Sequence, residues 1–178
     1  MSGHNKWAQI KHKKAITDGK KSKIFSKLVR FIAVEAKLSG GKESPGLRAA
    51  IEKAKKVNMP ADNIDRAIKK ASEPSAQMDA ITYEAYGPGG VGIIIETLTD
   101  SKNRTAQDVK HILSENNTAL GGIGSVTWAF KREISPEGPV WIPTTTIPLS
   151  DADLELLEKL VNDLEENDDI QDVYTNAE

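Results

Sequence analysis

The chain has 178 residues, no cysteine and a formal net charge of −2. This length fits one large domain or two small ones, and the lack of cysteine excludes a disulfide scaffold, a thiolate metal site and a cysteine nucleophile. No apolar run approaches the roughly 20 residues needed to cross a membrane, and the basic N-terminus lacks the apolar core of a signal peptide, so we expect a soluble, cytoplasmic protein without a membrane partner.

The charge is divided unevenly along the chain. Residues 1–72 hold 18 Lys and Arg against 6 Asp and Glu, a net charge of +12. Residues 73–178 hold 6 against 20, a net charge of −14. Such asymmetry is typical of a protein whose basic half binds a polyanion. The alternative is that the two halves attract each other, although this alone does not explain the order of the basic residues.

Residues 1–19 are predicted to form a basic arm around Trp7. Its lysines and histidines are Lys6, Lys11, Lys13, Lys14, His4 and His12. Lysines neutralise phosphates and an exposed Trp can stack on a base, so the arm is a candidate for nucleic-acid binding. The alternative is a solvated terminus with Trp7 packed onto the body.

Residues 20–72 are predicted to form a bundle of three short helices. The first, over 20–38, has an apolar stripe at helical spacing: Phe25, Leu28, Val29, Ile32 and Ala36. Basic residues fall on roughly the opposite face, with Lys21 beside them: Lys20, Lys23, Lys27, Arg30 and Lys37. A face of one sign repels itself unless an anion lies on it. Phe31 and Val34 flank the basic face and are candidates for contact with a partner.

Glycine and proline mark the ends of these helices. Gly40 and Gly41 are predicted to end the first helix by adopting the left-handed backbone conformation. The second begins near Ser44 with a proline in its first turn, and Pro60 opens the third. We take 73–80 as a linker to a second domain over 81–178.

The second domain begins with a predicted β-hairpin. Strands over 81–86 and 91–98 flank the turn Gly87-Pro88-Gly89-Gly90. This turn lacks the Lys-Ser/Thr ending of a phosphate-binding loop, so we interpret it as a turn. A loop with Lys102, Asn103 and Arg104 then leads into a helix capped at Thr105.

Further along the chain, strands are predicted over 125–131 and 170–175, an extended segment over 140–149, and a helix capped at Ser150. The order predicts an α+β fold: an N-terminal three-helix domain, then a domain with helices on one face of a mainly antiparallel sheet. The sequence shows no catalytic triad pattern, no metal-ligand spacing and no nucleotide-binding loop. We therefore expect a monomeric non-enzyme with no catalytic residue, no cofactor and no metal.

Six motifs stand out along the chain: 3–14 (GHNKWAQIKHKK), 58–68 (NMPADNIDRAI), 83–91 (YEAYGPGGV), 98–105 (LTDSKNRT), 124–126 (GSV) and 173–178 (VYTNAE). In this order they resemble the YebC/PmpR family, which includes the mitochondrial translational activator of cytochrome c oxidase subunit I. The resemblance implies a helical domain followed by α/β domains, no enzymatic activity and a role in gene expression. Family members are labelled transcriptional regulators that bind DNA, and bacterial members are linked to ribosomes that stall at consecutive prolines.

One departure from the family is large. Members carry a further α/β subdomain after the strand that ends near Phe130, whereas here only 131–140 bridges the gap. Ten residues cannot form a domain, so the chain is expected to lack the inserted subdomain.

Three functions remain open: an RNA-binding translation factor on the ribosome that relieves stalling, a DNA-binding transcriptional regulator, and an interaction module whose acidic half recruits a protein. The basic residues are spread broadly, which favours contact with phosphates over reading of bases, and we favour the first. The candidate nucleic-acid-binding residues are Lys6, Trp7, Lys11, His12, Lys13, Lys14, Lys20, Lys21, Lys23, Lys27, Arg30, Lys102, Asn103 and Arg104.

Overall fold

The computed structural model describes Trp7 and residues 18–71 and 77–178. Its N-terminal part is a three-helix domain, as predicted. The helices are α1 (Asp18–Leu38), α2 (Pro45–Lys56) and α3 (Ala61–Lys70). The predicted stripe of α1 faces α2 and α3, with Leu28, Ile32 and Ala36 buried in a common core.

The ends of these helices follow the local signals. Gly40 and Gly41 have φ values of 62° and 76°, and the amide of Gly41 donates to the carbonyl of Ala36 at 2.8 Å. This left-handed ending favours glycine because a side chain is strained there. Ser44 caps α2 by accepting a hydrogen bond from the Leu47 amide at 3.1 Å.

The second part is built on antiparallel sheets with helices on one face. Its elements in chain order are β1 (Asp79–Tyr86), β2 (Gly92–Thr99), α4 (Lys102–Glu115), β3 (Ala119–Leu120), β4 (Phe130–Ser135), β5 (Gly138–Pro143), α5 (Asp151–Glu165) and β6 (Ile170–Thr175). The larger sheet has the order β3-β1-β2-β6, and β4 and β5 form a separate hairpin. The predicted α+β class and mainly antiparallel sheet are confirmed.

Strand β2 is the centre of this part because both of its faces are buried. Ile93 and Ile95 pack with α4 and α5 in the main core, around Leu113 and Leu157. Ile94 points to the other face and packs in a smaller core with Val126 and Phe130. The run of three isoleucines at 93–95 in β2 is what a strand segment with both faces buried requires.

Two predicted boundaries are wrong. The segment predicted as one strand over 125–131 forms a 3-10 turn at Thr127–Ala129, and its strand begins only at Phe130. Helix α4 begins at Lys102, after the N-cap position of Ser101, so Thr105 lies inside the helix. Thr105 is fully buried and uses its hydroxyl in a contact with another element, described below.

No helix in the part of the chain that the structure describes is long and apolar enough to span a membrane. The short segment after β5 forms a parallel bridge between Ile147 and Ala177. This bridge ties the segment before α5 to the end of the chain.

Candidate nucleic-acid interface

The basic face of α1 contacts the acidic half of its own chain. Lys23 Nζ donates to Oε2 of Glu166 at 2.6 Å and to the carbonyl of the same residue at 2.7 Å. Lys27 Nζ donates to the carbonyl of Glu165 at 2.6 Å. These acceptors lie at the C-terminal end of α5, where the helix dipole adds negative charge. The chain thus supplies the anion that this face requires, and the alternative of attraction between the halves accounts for both lysines.

The pKa values of these groups are shifted by burial and by neighbouring charges. Burial lowers the pKa of Lys27, and the nearby carboxylate of Glu165 opposes this shift. The hydrogen bond from Lys23 holds the pKa of Glu166 below its usual range. The Lys23–Glu166 pair is half-exposed, with 39% and 59% of the two side chains accessible, so the charge pair contributes little on its own. The carbonyls of Glu165 and Glu166 give the two lysines additional acceptors at the end of α5.

Asp169 joins the two parts of the chain through a buried carboxylate. Arg30 Nη1 donates to its Oδ1 at 2.7 Å and to the carbonyl of Leu98 at 2.9 Å. Arg104 Nη2 and the Thr105 hydroxyl donate to Oδ2 at 2.9 Å and 2.7 Å. Burial raises the pKa of Asp169, but the hydrogen bonds from Arg104, Thr105 and Arg30 outweigh it, so the pKa is below its usual range. We call this group the Asp169 node.

The predicted basic loop is the first turn of α4. Lys102 Nζ lies 3.5 Å from Oδ1 of Asp79, and Arg104 pairs with Asp100 at 2.8 Å as well as with the node. Asn103 is exposed. Of the three candidates, Arg104 is held by two acids, both at Nη2.

Trp7 is buried rather than available for stacking. Its side chain is 8% exposed and packs in the main core of the second part, with Ala85 and Val91 among the members of that core. The interpretation in which Trp7 packs onto the body therefore describes this structure, and the prediction of base stacking by Trp7 conflicts with it. The other arm candidates lie outside the described residues: Lys6, Lys11, His12, Lys13 and Lys14.

Other cations of the helical domain remain at the surface. Lys21 on α1 and Lys69 and Lys70 at the end of α3 are exposed, and no ion pair is found for these three among the described residues. Lys20 lies near Glu166, whose pKa it helps to lower. Lys21 and the two lysines of α3 belong to the same domain, since α3 packs directly on α1.

Phe31 and Val34 line a cleft of 980 Å³ between the helical domain and the β4–β5 hairpin. Lys53 lies 5.9 Å from the centre of the Phe31 ring, and Lys56 pairs with Glu137 at the tip of the hairpin. The apolar residues beside the basic face of α1 therefore face another part of the same chain.

Sequence reasoning missed Glu84, which is a buried carboxylate in the middle of β1. Its carboxylate accepts hydrogen bonds from the amides of Gly124, Val126 and Thr127 at 2.7, 2.8 and 3.0 Å. Burial raises the pKa of Glu84, but these three bonds outweigh it and the pKa is lowered. The alternation of β1 separates Glu84 from the face of Tyr83 and Ala85 and gives no sign of its burial, so the glycine-rich loop is the one sequence signal that backbone amides need an acceptor there.

Within the described ranges, no three His, Cys, Asp or Glu side chains come together in a way that could hold a metal ion. The charged groups of the described part include ion pairs between its two halves and exposed lysines on the helical domain.

Two protein-family models match this chain. A model described as the TACO1/YebC protein N-terminal domain matches residues 5–74. A model described as the TACO1/YebC second and third domain matches residues 78–137 and 133–177. The chain belongs to the TACO1/YebC family. Its relatives bear the name of probable transcriptional regulatory proteins.

Two relatives show the extent of the match. A probable transcriptional regulatory protein of Chlorobium luteolum is 39% identical over 239 residues, covering 100% of this chain and 96% of the relative. One of Chlorobium phaeobacteroides is 49% identical over 173 residues, covering 95% of this chain and 68% of the relative. The first match is longer than this chain of 178 residues, so the relative holds residues within the matched span that this chain lacks.

A solved structure shares the fold. The crystal structure of a conserved hypothetical protein from Aquifex aeolicus matches with a TM-score of 0.82 and 34% sequence identity, covering 97% of this chain and 96% of that chain. The α+β arrangement is therefore that of the TACO1/YebC family.

Proposed function

We propose that this TACO1/YebC member is a nucleic-acid-binding regulator of gene expression, and that its target is RNA on the ribosome. The observation that carries the proposal is that some cations of the helical domain pair with acids of the same chain while others remain exposed. The acids of the second part engage Lys23, Lys27 and Arg30, whereas Lys21, Lys69 and Lys70 remain exposed. These three exposed lysines, and the lysines in the sequence of the arm, are the cations that we propose an external polyanion neutralises.

The burial of the α1 basic face favours RNA over sequence-specific DNA. A recognition helix has to place side chains in the major groove. Helix α1 is the longest helix of the described part, and its basic face lies against the end of α5 and the Asp169 node. The remaining cations are spread over an arm and helix ends, which suits contact with phosphates. The alternative remains a DNA-binding transcriptional regulator, which matches the names of the relatives.

We also infer that this chain lacks a subdomain that relatives carry. Strand β4 is followed after a two-residue turn by β5, and the pairing of Ser135 with Gly138 closes the hairpin. The tip approaches the helical domain, since a Cβ on Gly138 would lie 4.0 Å from both Ala49 and Phe31. The hairpin therefore closes directly onto the helices at the point where the family inserts chain.

Charge reversal in the arm tests the proposal. Replacing Lys13 and Lys14 by Glu changes the net charge by four units and should abolish co-sedimentation with ribosomes at moderate salt, because phosphate contacts are replaced by repulsion. The matched control is the replacement of Lys110 and Lys159 by Glu, which makes the same change of charge on the second part. Unchanged co-sedimentation of the arm variant, or equal loss in the control, would contradict the proposal.

A further inference from the structure

Three large apolar side chains are exposed on or beside the glycine-rich loop of the second part. Tyr86 at the end of β1 is 48% exposed, Trp128 in the 3-10 turn is 68% exposed, and Ile123 in the glycine-rich loop is fully exposed. We call these three residues the aromatic platform. Exposed clusters of large apolar side chains in a folded protein indicate a binding surface more often than chance exposure.

Both rings of the platform are fixed by one acceptor. The Tyr86 hydroxyl donates to the carbonyl of Ser125 at 2.6 Å, and Trp128 Nε1 donates to the same carbonyl at 2.8 Å. The polar atom of each ring is thereby satisfied, and what remains available is the ring surface. Because the rings are already ordered, a ligand that stacks on them loses little conformational entropy on binding.

The loop beneath the rings is rigid for a separate reason. Glu84 accepts the amides of Gly124, Val126 and Thr127, and Val126 is buried against Ile94. Because these amides already donate hydrogen bonds to the carboxylate of Glu84, they are not available to bind a phosphate, as the amides of other glycine-rich loops do. The contact available to a ligand here is therefore stacking on the rings.

The segment that carries the loop and Trp128 exposes cations and no acid, and the carboxylate of Glu84 beneath it is buried. Residues 116–132 contain no Asp or Glu, although the second part carries a net charge of −14. The segment ends with Lys131 and Arg132, which are both exposed. Lys131 pairs with Glu133 on the same strand, and exposed pairs of this kind contribute little and exchange readily for another anion. A phosphate backbone can approach here without meeting an acid of this segment.

We propose that the aromatic platform stacks unpaired bases of the RNA whose phosphates the basic arm binds. The inference rests on the proposed function, since it assigns a second contact to the same ligand. Aromatic stacking is sequence-tolerant because every base has a π face. It therefore adds affinity for single-stranded RNA without selecting a sequence.

The test compares two ligands of equal charge. One is a twelve-nucleotide adenosine RNA, and the other is an abasic ribose-phosphate chain of the same length. Trp128→Ala in the full chain should weaken binding of the adenosine RNA about tenfold, as expected for the loss of stacking on one base, and leave binding of the abasic chain unchanged. Trp128→Phe keeps a ring and should retain most of the affinity.

Two further variants make the test independent of a single substitution. Tyr86→Leu removes the second ring and should also weaken binding of the adenosine RNA alone. Leu156→Ala on the acidic face of α5 removes an exposed apolar side chain of similar exposure, 54%, and should change neither affinity. Circular dichroism confirms that each variant is folded.

The outcomes separate this inference from the proposed function. A wild-type chain that binds neither ligand contradicts both. A wild-type chain that binds the two ligands equally well contradicts the platform and leaves the arm in place. A Trp128→Ala variant that binds both ligands as wild type does, or that loses both equally, also contradicts stacking and points to a protein partner for this surface.

Discussion

Two buried carboxylates, Glu84 and Asp169, each fix a different part of the chain. Glu84 organises the loop beneath the aromatic platform by accepting three amides. Asp169 holds Arg30 of the helical domain and Arg104 of the second part. A buried carboxylate requires hydrogen bonds or countercharges in place of water. Glu84 has hydrogen bonds from three amides, and Asp169 has hydrogen bonds and two arginines.

Replacing Asp169 by Asn should destabilise the chain by about 2–4 kcal/mol, because the amide leaves Arg30 without its charged partner and disturbs the Thr105 contact. Chemical unfolding followed by circular dichroism measures this. Asp168→Asn is the matched control, since Asp168 is exposed and adjacent, and it should change stability by less than about 0.5 kcal/mol. Equal effects of the two variants would show that the node does not stabilise the fold.

The same node makes stability depend on acid pH. Because the pKa of Asp169 is lowered in the folded chain, its contribution is fully present above the unfolded pKa of about 3.9 and is lost as the pH falls through the folded pKa. The free energy of unfolding of wild type should therefore fall more steeply below about pH 4 than that of Asp169→Asn. Parallel pH profiles for the two proteins would contradict this account.

At the scale of elements, most of the fold could be predicted because periodicity and caps agree. The stripes of α1 to α3, the β1–β2 hairpin and the Ser150 cap of α5 are local signals, and they are confirmed. The predictions for Thr105 and for residues 125–129 are wrong because each depends on a residue distant in the sequence. Thr105 has the spacing of a cap but lies inside α4, where its hydroxyl donates to Asp169. Residues 125–129 form a turn in which the amides of Val126 and Thr127 donate to Glu84. Neither partner is visible from local sequence.

The cap of α5 gives a prediction at this scale. Ser150 Oγ accepts a hydrogen bond from the Asp153 amide at 3.1 Å, so Ser150→Ala should cost about 1 kcal/mol of stability. Ser114→Ala on the exposed side of α4 is the control and should be close to neutral. Thermal unfolding of both variants distinguishes them. A Ser150 variant as stable as the control would show that the cap contributes nothing measurable.

At the scale of the whole molecule, the charge asymmetry between the halves has two uses. Part of it is internal, since the face of α1 that the sequence analysis assigned to nucleic acid lies on the acidic end of α5. The rest, in the arm and at Lys21, Lys69 and Lys70, is what we propose binds a partner. Sequence could predict the asymmetry and the face, but not which cations the fold would pair, because that depends on how the two parts pack.

The most direct test of this division is the salt dependence of RNA binding in paired variants. For single strands, each phosphate contact contributes about 0.7 to the slope of log K against log salt concentration. Replacing Lys13 and Lys14 by Gln should lower the slope by about 1.4, whereas replacing Lys23 and Lys27 by Gln should leave it unchanged, because those two lysines are paired within the chain. A slope that falls in the α1 variant and stays constant in the arm variant would contradict the account.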